Sequence, residues 1–273
     1  MKLHVVYRIS ASENHKARPA FYSKRVALAS FLESLARVEV VGDVHFLCDG
    51  PVSEDLVATM RARGAIVELP GLGNSGSYRR ALAMLHEPPR WSDDDLVYFA
   101  EDDYLYRPEA LAEMVTAAHE IVAASFFTPY DHPDYQSTPV HQRFRRLHRK
   151  ELWNVGSTRW RSVRSTTMTF GARVGPMRAA AGIHELGTRG PGPRDFETWS
   201  ALQSTSPRFL VARTVGHSDA LDTVSLLRAL PRCFERRDLL VAPEPSLATH
   251  LEDPWLAVGG DWEALAARLA ARP

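Results

Sequence analysis

The chain of 273 residues carries 33 Lys or Arg against 33 Asp or Glu, a formal net charge of zero, and 45% of it is hydrophobic. This balance gives no ground for a general electrostatic affinity for nucleic acid or anionic membrane, and two cysteines without CxxC spacing, Cys48 and Cys233, indicate neither a disulfide framework nor a cysteine metal site. No stretch approaches the roughly 18 apolar residues of a membrane span, and "MKLHVVYRIS" meets Arg8 too early for a signal peptide. A cytoplasmic protein, with apolar content for one large domain and no membrane span, is expected.

Short β-rich runs alternate with helical patterns over the first 130 residues, which predicts an α/β layer on a largely parallel sheet. Leu3 to Ile9 reads as the first strand, and a helical stretch opens at Pro19, with Leu28, Phe31, Leu32 and Leu35 at the spacing of one buried face. Val44 to Cys48 is the second strand, stopped by Asp49-Gly50-Pro51. A helix with Ser53 as N-cap and Gly64 as stop leads to a third strand, "AIVELP". "GNSGSYRRALAML" is a glycine-rich turn feeding a helix, Leu96 to Ala100 is the fourth strand, and a further helix starts at Pro108. Beyond residue 130 the pattern is less regular. It predicts a polar loop over "YDHPDYQSTPVHQ", a strand from Arg164 to Val174, a helix from Val174, a helix "DFETWSALQ", a short strand near Arg208 and a C-terminal helix "DWEALAARLAAR". With no repeat or linker, residues 1–273 read as one domain.

Charge is segregated along this pattern. A basic stretch from His141 to Arg164 holds eight Lys or Arg against one Glu, interleaved with Phe144, Trp153 and Trp160. It reads either as a surface for an anionic acceptor, a diphosphate or nucleic-acid bases, or as a solvated strand and loop with inward aromatics. The acidic counterpart is Glu101-Asp102-Asp103, directly after the fourth strand. Ligands of open α/β sheets bind at that strand edge, and hard divalent cations that also hold a diphosphate take one or two protein carboxylates. Acidic residues ahead of Pro108 also favour a helix N-terminus, but a helix needs only one cap.

"LVYFAEDDYLYRPEAL" resembles the DxD region of GT-A fold glycosyltransferases, particularly of the family 2 type, with Glu101 standing where Asp is usual. The resemblance implies a GT-A type α/β fold: a Rossmann-like, mostly parallel sheet flanked by helices. Residues 1–130 would form the nucleotide-sugar-binding half, and residues 131–273 the less regular acceptor half. It implies Mn2+ or Mg2+ at Asp103, assisted by Glu101 or Asp102, with Glu101 and Asp102 also at the donor. Its first-strand counterpart nominates Tyr7, Arg8 and Ser10 at the nucleotide, a second-strand aspartate nominates Asp49, and the glycine-bearing turn nominates Asn74, Ser77 and Arg79. Gly73 and Gly76 permit close backbone approach, and free N–H groups at a helix start suit a phosphate or ribose oxygen. The same run also reads simply as the start of a helix.

Inverting transfer needs a carboxylate to take the proton of the attacking hydroxyl, and a metal to stabilise the departing diphosphate. In the resembled family that acid opens a helix beyond the DxD, which nominates Asp195 ahead of Glu197; capping alone also explains both acids. Some GT-A enzymes add a C-terminal histidine to the metal, which nominates His250, with His217 a weaker candidate. The expected activity is metal-dependent transfer of a sugar from a nucleotide-diphosphate sugar to a hydroxyl acceptor: a small molecule, a glycan or a nucleic-acid base. A sugar-phosphate nucleotidyltransferase, or a noncatalytic nucleotide- or nucleic-acid-binding module, is the alternative.

Overall fold

The computed structural model describes residues 1–13, 15–133, 150–189, 194–203 and 238–271. Its centre is a nine-stranded sheet in the order β3-β2-β1-β4-β9-β6-β10-β8-β7. The first half is the expected parallel layer: β1 (Leu3–Ser10), β2 (Val41–Asp49), β3 (Ala65–Leu69) and β4 (Leu96–Glu101) all run in one direction. Helices α1 (Lys24–Leu35), α2 (Glu54–Arg61) and α3 (Gly73–Ala83) make the crossovers. The sheet continues through β9 (Phe170–Arg173), antiparallel between β4 and β6 (Ala124–Phe127), then β10 (Leu239–Glu244), β8 (Thr158–Ser162) and β7 (Leu152–Val155). Only β9 and β8 run against the rest, so seven of the nine strands share a direction. The chain thus has the expected α/β architecture, a large and mostly parallel sheet flanked by helices.

β1 is buried along nearly its whole length because both its faces are covered, and its two-residue periodicity sorts its side chains between two layers. Leu3, Val5, Tyr7 and Ile9 pack in one apolar cluster with Phe31 of α1 and with Leu111 and Met114 of α4 (Ala110–Glu120). Val6 points into the other cluster, with Tyr78, Phe99, Phe126, Phe170 and Trp199. That second layer is covered by α3, α5 (Val174–Gly187) and α6 (Asp195–Gln203).

Several boundaries differ from the sequence pattern. Residues 19–22 form a turn closed by Tyr22 N–H donating to Pro19 O at 2.9 Å, so α1 begins at Lys24 rather than at Pro19. The glycine-rich run is no separate turn, because Gly73 is already the first helical residue. The strand expected from Arg164 is confined to Phe170–Arg173, its upstream Thr166 and Thr169 hydroxyls being spent on Thr128 and Glu101. β5 (Tyr104–Tyr106) pairs antiparallel with β11 (Ala248–His250) in a small second sheet that sets His250 opposite Tyr104. At three residues each, neither strand is long enough to show a period. The C-terminal helix α7 (Trp262–Ala270) has Asp261 as N-cap, its carboxylate accepting from Ala264 N–H at 3.0 Å. Residues 141–149 of the basic stretch, His217, Cys233 and the strand expected near Arg208 lie outside the described residues.

Candidate functional site

The C-terminal ends of β1, β2 and β4 lie side by side, and the residues just beyond them wall a cavity of about 400 Å³. Arg8 is its organising residue. One β-strand position after the core-facing Tyr7, it projects to the opposite face, toward α3, where it is 5% exposed. Its Nη1 donates to Asn74 O at 3.0 Å, Asn74 Oδ1 at 2.9 Å and Ser77 Oγ at 3.0 Å, while Nη2 donates to Glu101 Oε1 at 2.7 Å. Glu101 Oε2 accepts from Thr169 Oγ1 at 3.0 Å, so both of its oxygens are engaged.

Asp102 and Asp103 diverge from there. Asp102 Oδ2 accepts from Ser10 N–H at 3.0 Å and lies 3.2 Å from Lys24 Nζ. Lys24 also donates to Ser10 O at 2.5 Å and Ser12 O at 2.9 Å, which holds it against the end of β1. Asp103 Oδ2 accepts from Arg18 Nη2 at 3.0 Å and stands 3.1 Å from His250 Nε2. Leu251 N–H donates to Asp103 O at 2.8 Å, and Arg18 Nη1 donates to Leu251 O at 2.7 Å, so the chain after β11 is stitched to the acidic turn. The His250 ring stacks on Tyr104 with centroids 4.8 Å apart and planes 9° apart. Burial, and then the neighbouring Asp103 charge, push the Asp102 carboxyl up to about 6 against the pull of Lys24. For Asp103 burial also acts upward, but His250 and Arg18 outweigh it and hold that carboxyl well below the usual range.

Asp49 shapes the third side. Its Oδ1 accepts from Gly71 N–H at 3.0 Å and Leu72 N–H at 2.6 Å, and its Oδ2 accepts from Gly73 N–H at 2.7 Å. These donors include the start of α3, so the N–H groups expected to be free for a ligand are held by a protein carboxylate that satisfies the helix dipole. Gly73 has φ +71, which favours glycine. Gly76 serves packing rather than a ligand: a Cβ there would stand 2.6 Å from Leu72 Cβ.

Of the residues singled out from sequence, Arg8, Ser10, Asp49, Asn74, Ser77, Glu101, Asp102, Asp103, Asp195 and His250 line this one cavity. Asp195 does so from the first position of α6. Two others stand elsewhere. Tyr7 is fully buried, its ring 4.8 Å from Phe31 and 5.7 Å from Phe46, and Arg79 donates to Thr188 Oγ1 at 3.0 Å across to α5. Glu197 lies in the first turn of α6, and its side chain is outside the described residues. The sequence reading missed Lys16, Arg18, Tyr22 and Lys24, which reach the cavity from the segment after β1, and Thr167 and Met168 opposite them. Their signal was present as three cations within nine residues of an otherwise unstructured loop and helix start, but charge alone does not say which way a side chain turns.

The described part of the basic stretch forms the β7–β8 hairpin at the far edge of the sheet. Trp160 is fully buried there, Trp153 packs against the core, Arg159 pairs with Glu244 at 2.9 Å and Arg161 with Asp131. None of these residues lines the cavity.

No group of three or more His, Cys, Asp or Glu among the described residues stands in metal-binding arrangement. The carboxylates of Asp102 and Asp103 are the oxygen donors that a hard divalent cation takes, and the His250 imidazole stands beside Asp103.

No family model matches the chain, and neither does any curated protein. Among solved structures it is similar to a 4-diphosphocytidyl-2C-methyl-D-erythritol synthase, at 15% identity and a TM-score of 0.46, with 98% of this chain and 97% of that one covered. A CMP:2-keto-3-deoxy-manno-octonic acid synthetase complexed with CTP matches at 12% identity and a TM-score of 0.45, with 99% of each chain covered. Glucosyl-3-phosphoglycerate synthase from Mycobacterium tuberculosis, in complex with Mn2+, UDP and phosphoglyceric acid, matches at 13% identity and a TM-score of 0.42, with 85% and 78% covered. Likenesses at these TM-scores assign no reaction, ligand or metal to this chain.

Proposed function

We propose that the chain is a metal-dependent, inverting glycosyltransferase of GT-A type that moves a sugar from a nucleotide-diphosphate sugar to an acceptor hydroxyl. The observation that carries this reading is the convergence of Glu101, Asp102 and Asp103, four Arg or Lys side chains and Asp195 on one cavity at the ends of parallel strands. That is where open α/β sheets bind ligands. Asp103, with His250 and Asp102, would hold Mn2+ or Mg2+, which when bound neutralises charge developing on a departing diphosphate. Glu101, engaged by Arg8 and Thr169, serves to hold Arg8 and the start of α3 in register rather than to reach the ion. Residues 1–130 would supply the donor site and residues 131–273 the acceptor site within one domain.

Asp195 is our candidate base: it would accept the proton of the acceptor hydroxyl as that oxygen forms its bond to the anomeric carbon and the carbon–phosphate oxygen bond breaks. Asp195→Asn is expected to lower kcat by at least about a hundredfold, within the range of general-base contributions, while nucleotide affinity stays within about twofold. Near-normal turnover of this variant would remove Asp195 from the role and turn attention to Glu197. The anomeric configuration of the product, read by NMR, tests inversion separately.

One observation favours a second reading. Lys16, Arg18 and Lys24 enter the cavity from the segment after β1, where a sugar-phosphate nucleotidyltransferase would carry cations for a nucleoside triphosphate, although the glycines expected of such a loop are missing. Pyrophosphate release from a nucleoside triphosphate and a sugar phosphate would favour it, whereas release of a nucleoside diphosphate from a nucleotide sugar favours transfer.

A further inference from the structure

Each carboxylate of the acidic turn is already matched to a cation: Glu101 to Arg8 at 2.7 Å, Asp102 to Lys24 at 3.2 Å and Asp103 to Arg18 at 3.0 Å. The pairs are sheltered, with Lys24 12% and Arg18 13% exposed at the side chain, so separating any one leaves a poorly hydrated charge. A divalent ion arriving alone would take Asp102 and Asp103 from these cations and sit beside two positive charges that had lost their nearest carboxylates. A diphosphate arriving alone would draw Lys24 and Arg18 away and strand two adjacent carboxylates. Arriving together, ion and diphosphate allow a complete exchange of partners, carboxylates to the ion and cations to phosphate oxygens, with every charge still matched.

From this arrangement we infer that Arg18 and Lys24 are diphosphate-binding residues, and that their pairing with Asp103 and Asp102 is an interlock making metal and diphosphate binding mutually dependent. The inference deepens the proposed function and rests on it. Coupling of this kind is reciprocal: whatever factor the diphosphate adds to metal affinity, the metal adds to diphosphate affinity.

Mn2+ alone, titrated into the protein and followed by the electron paramagnetic resonance signal of the free ion, tests the interlock without any turnover. Lys24→Gln and Arg18→Gln are each expected to bind Mn2+ alone more tightly than the unsubstituted protein, by about fivefold or more, the lower end of typical coupling factors. Arg18→Lys, which keeps the charge, is expected to bind it as weakly as the unsubstituted protein does. Pyrophosphate with Mn2+ is expected to raise the melting temperature of the unsubstituted protein, and to raise that of both Gln variants less. Mn2+ affinity unchanged or lower in both Gln variants overturns the interlock, as does equal stabilisation by Mn2+ and pyrophosphate in all of them. Failure of Mn2+ and pyrophosphate to stabilise the unsubstituted protein would strike the metal-diphosphate reading itself. A Gln variant that does not fold leaves the other to decide, since each opens a different pair.

Discussion

Asp102 and Asp103 are chemically identical in an unfolded chain, and their surroundings drive them apart. Burial and its neighbour raise Asp102 from 3.8 to about 6, so between those values the folded protein holds a proton that the unfolded chain has lost. Stability linked to Asp102 therefore falls as pH rises through that window, and by neutral pH its charge costs about 3 kcal/mol. Asp103 is shifted down, so its charge stabilises above the ordinary 3.8, and that contribution is lost as pH falls below it. Asp102→Asn is accordingly expected to raise the melting temperature at pH 7 and to lose that advantage near pH 4, because Lys24 keeps Glu13 Oε1 at 3.5 Å as a counter-charge and Ser10 O and Ser12 O as acceptors. Asp103→Asn is expected to lower stability at pH 7 by about 3 kcal/mol or more, because it takes from the sheltered Arg18 and His250 the carboxylate that both face. Melting curves between pH 4 and pH 8 check both, and two variants moving in the same direction at pH 7 would refute the assignment. A stabilising removal of Asp102 fits a group kept for a ligand rather than for the fold. The sequence marked both acids as special because they follow an apolar strand, but it held nothing to divide them: Lys24, Arg18 and His250 meet them only through the fold.

Among the elements, α3 depends most on one distant side chain. Asp49, at the end of β2, accepts from three backbone N–H groups at and just before the start of α3, and α3 in turn presents Asn74 and Ser77 to Arg8. Loss of a cap typically costs about 1 to 2 kcal/mol. Asp49→Ala is expected to reach the upper figure in urea denaturation, because three backbone N–H donors lose one largely buried carboxylate acceptor at once. A change below about 0.5 kcal/mol, the ordinary range of surface substitutions, would contradict this role. The long elements were legible: β1 to β4, α2 and the helices from Val174 and Asp195 announced themselves by apolar period, caps or turn residues. The short strands β5 and β11 were not, at three residues each, and it is their pairing that brings His250 across 147 positions of sequence to Asp103. Tyr7 shows the opposite limit, since a one-residue step along β1 decides between core and cavity, and an unbroken apolar run does not reveal which step faces which way.

The whole molecule brings strand ends, loops and helix starts from residue 8 to residue 250 around one cavity, which composition with zero net charge did not foretell. Local clusters carried more of it: the acidic turn lines the cavity, and the described part of the basic stretch does not. The described part of the basic stretch closes the far edge of the sheet, while the cations of the cavity come from the inconspicuous segment 8–24. The central claim, that this cavity binds a nucleoside diphosphate together with a divalent metal, is tested most directly by melting temperatures with UDP, GDP, dTDP and CDP, each with and without Mn2+. Binding at a hundredfold excess over Kd adds about 2.7 kcal/mol of stability. The account predicts that one nucleotide raises the melting temperature by several degrees, and only when Mn2+ is present. No response to any of the four, or an equal response with and without the metal, would contradict it.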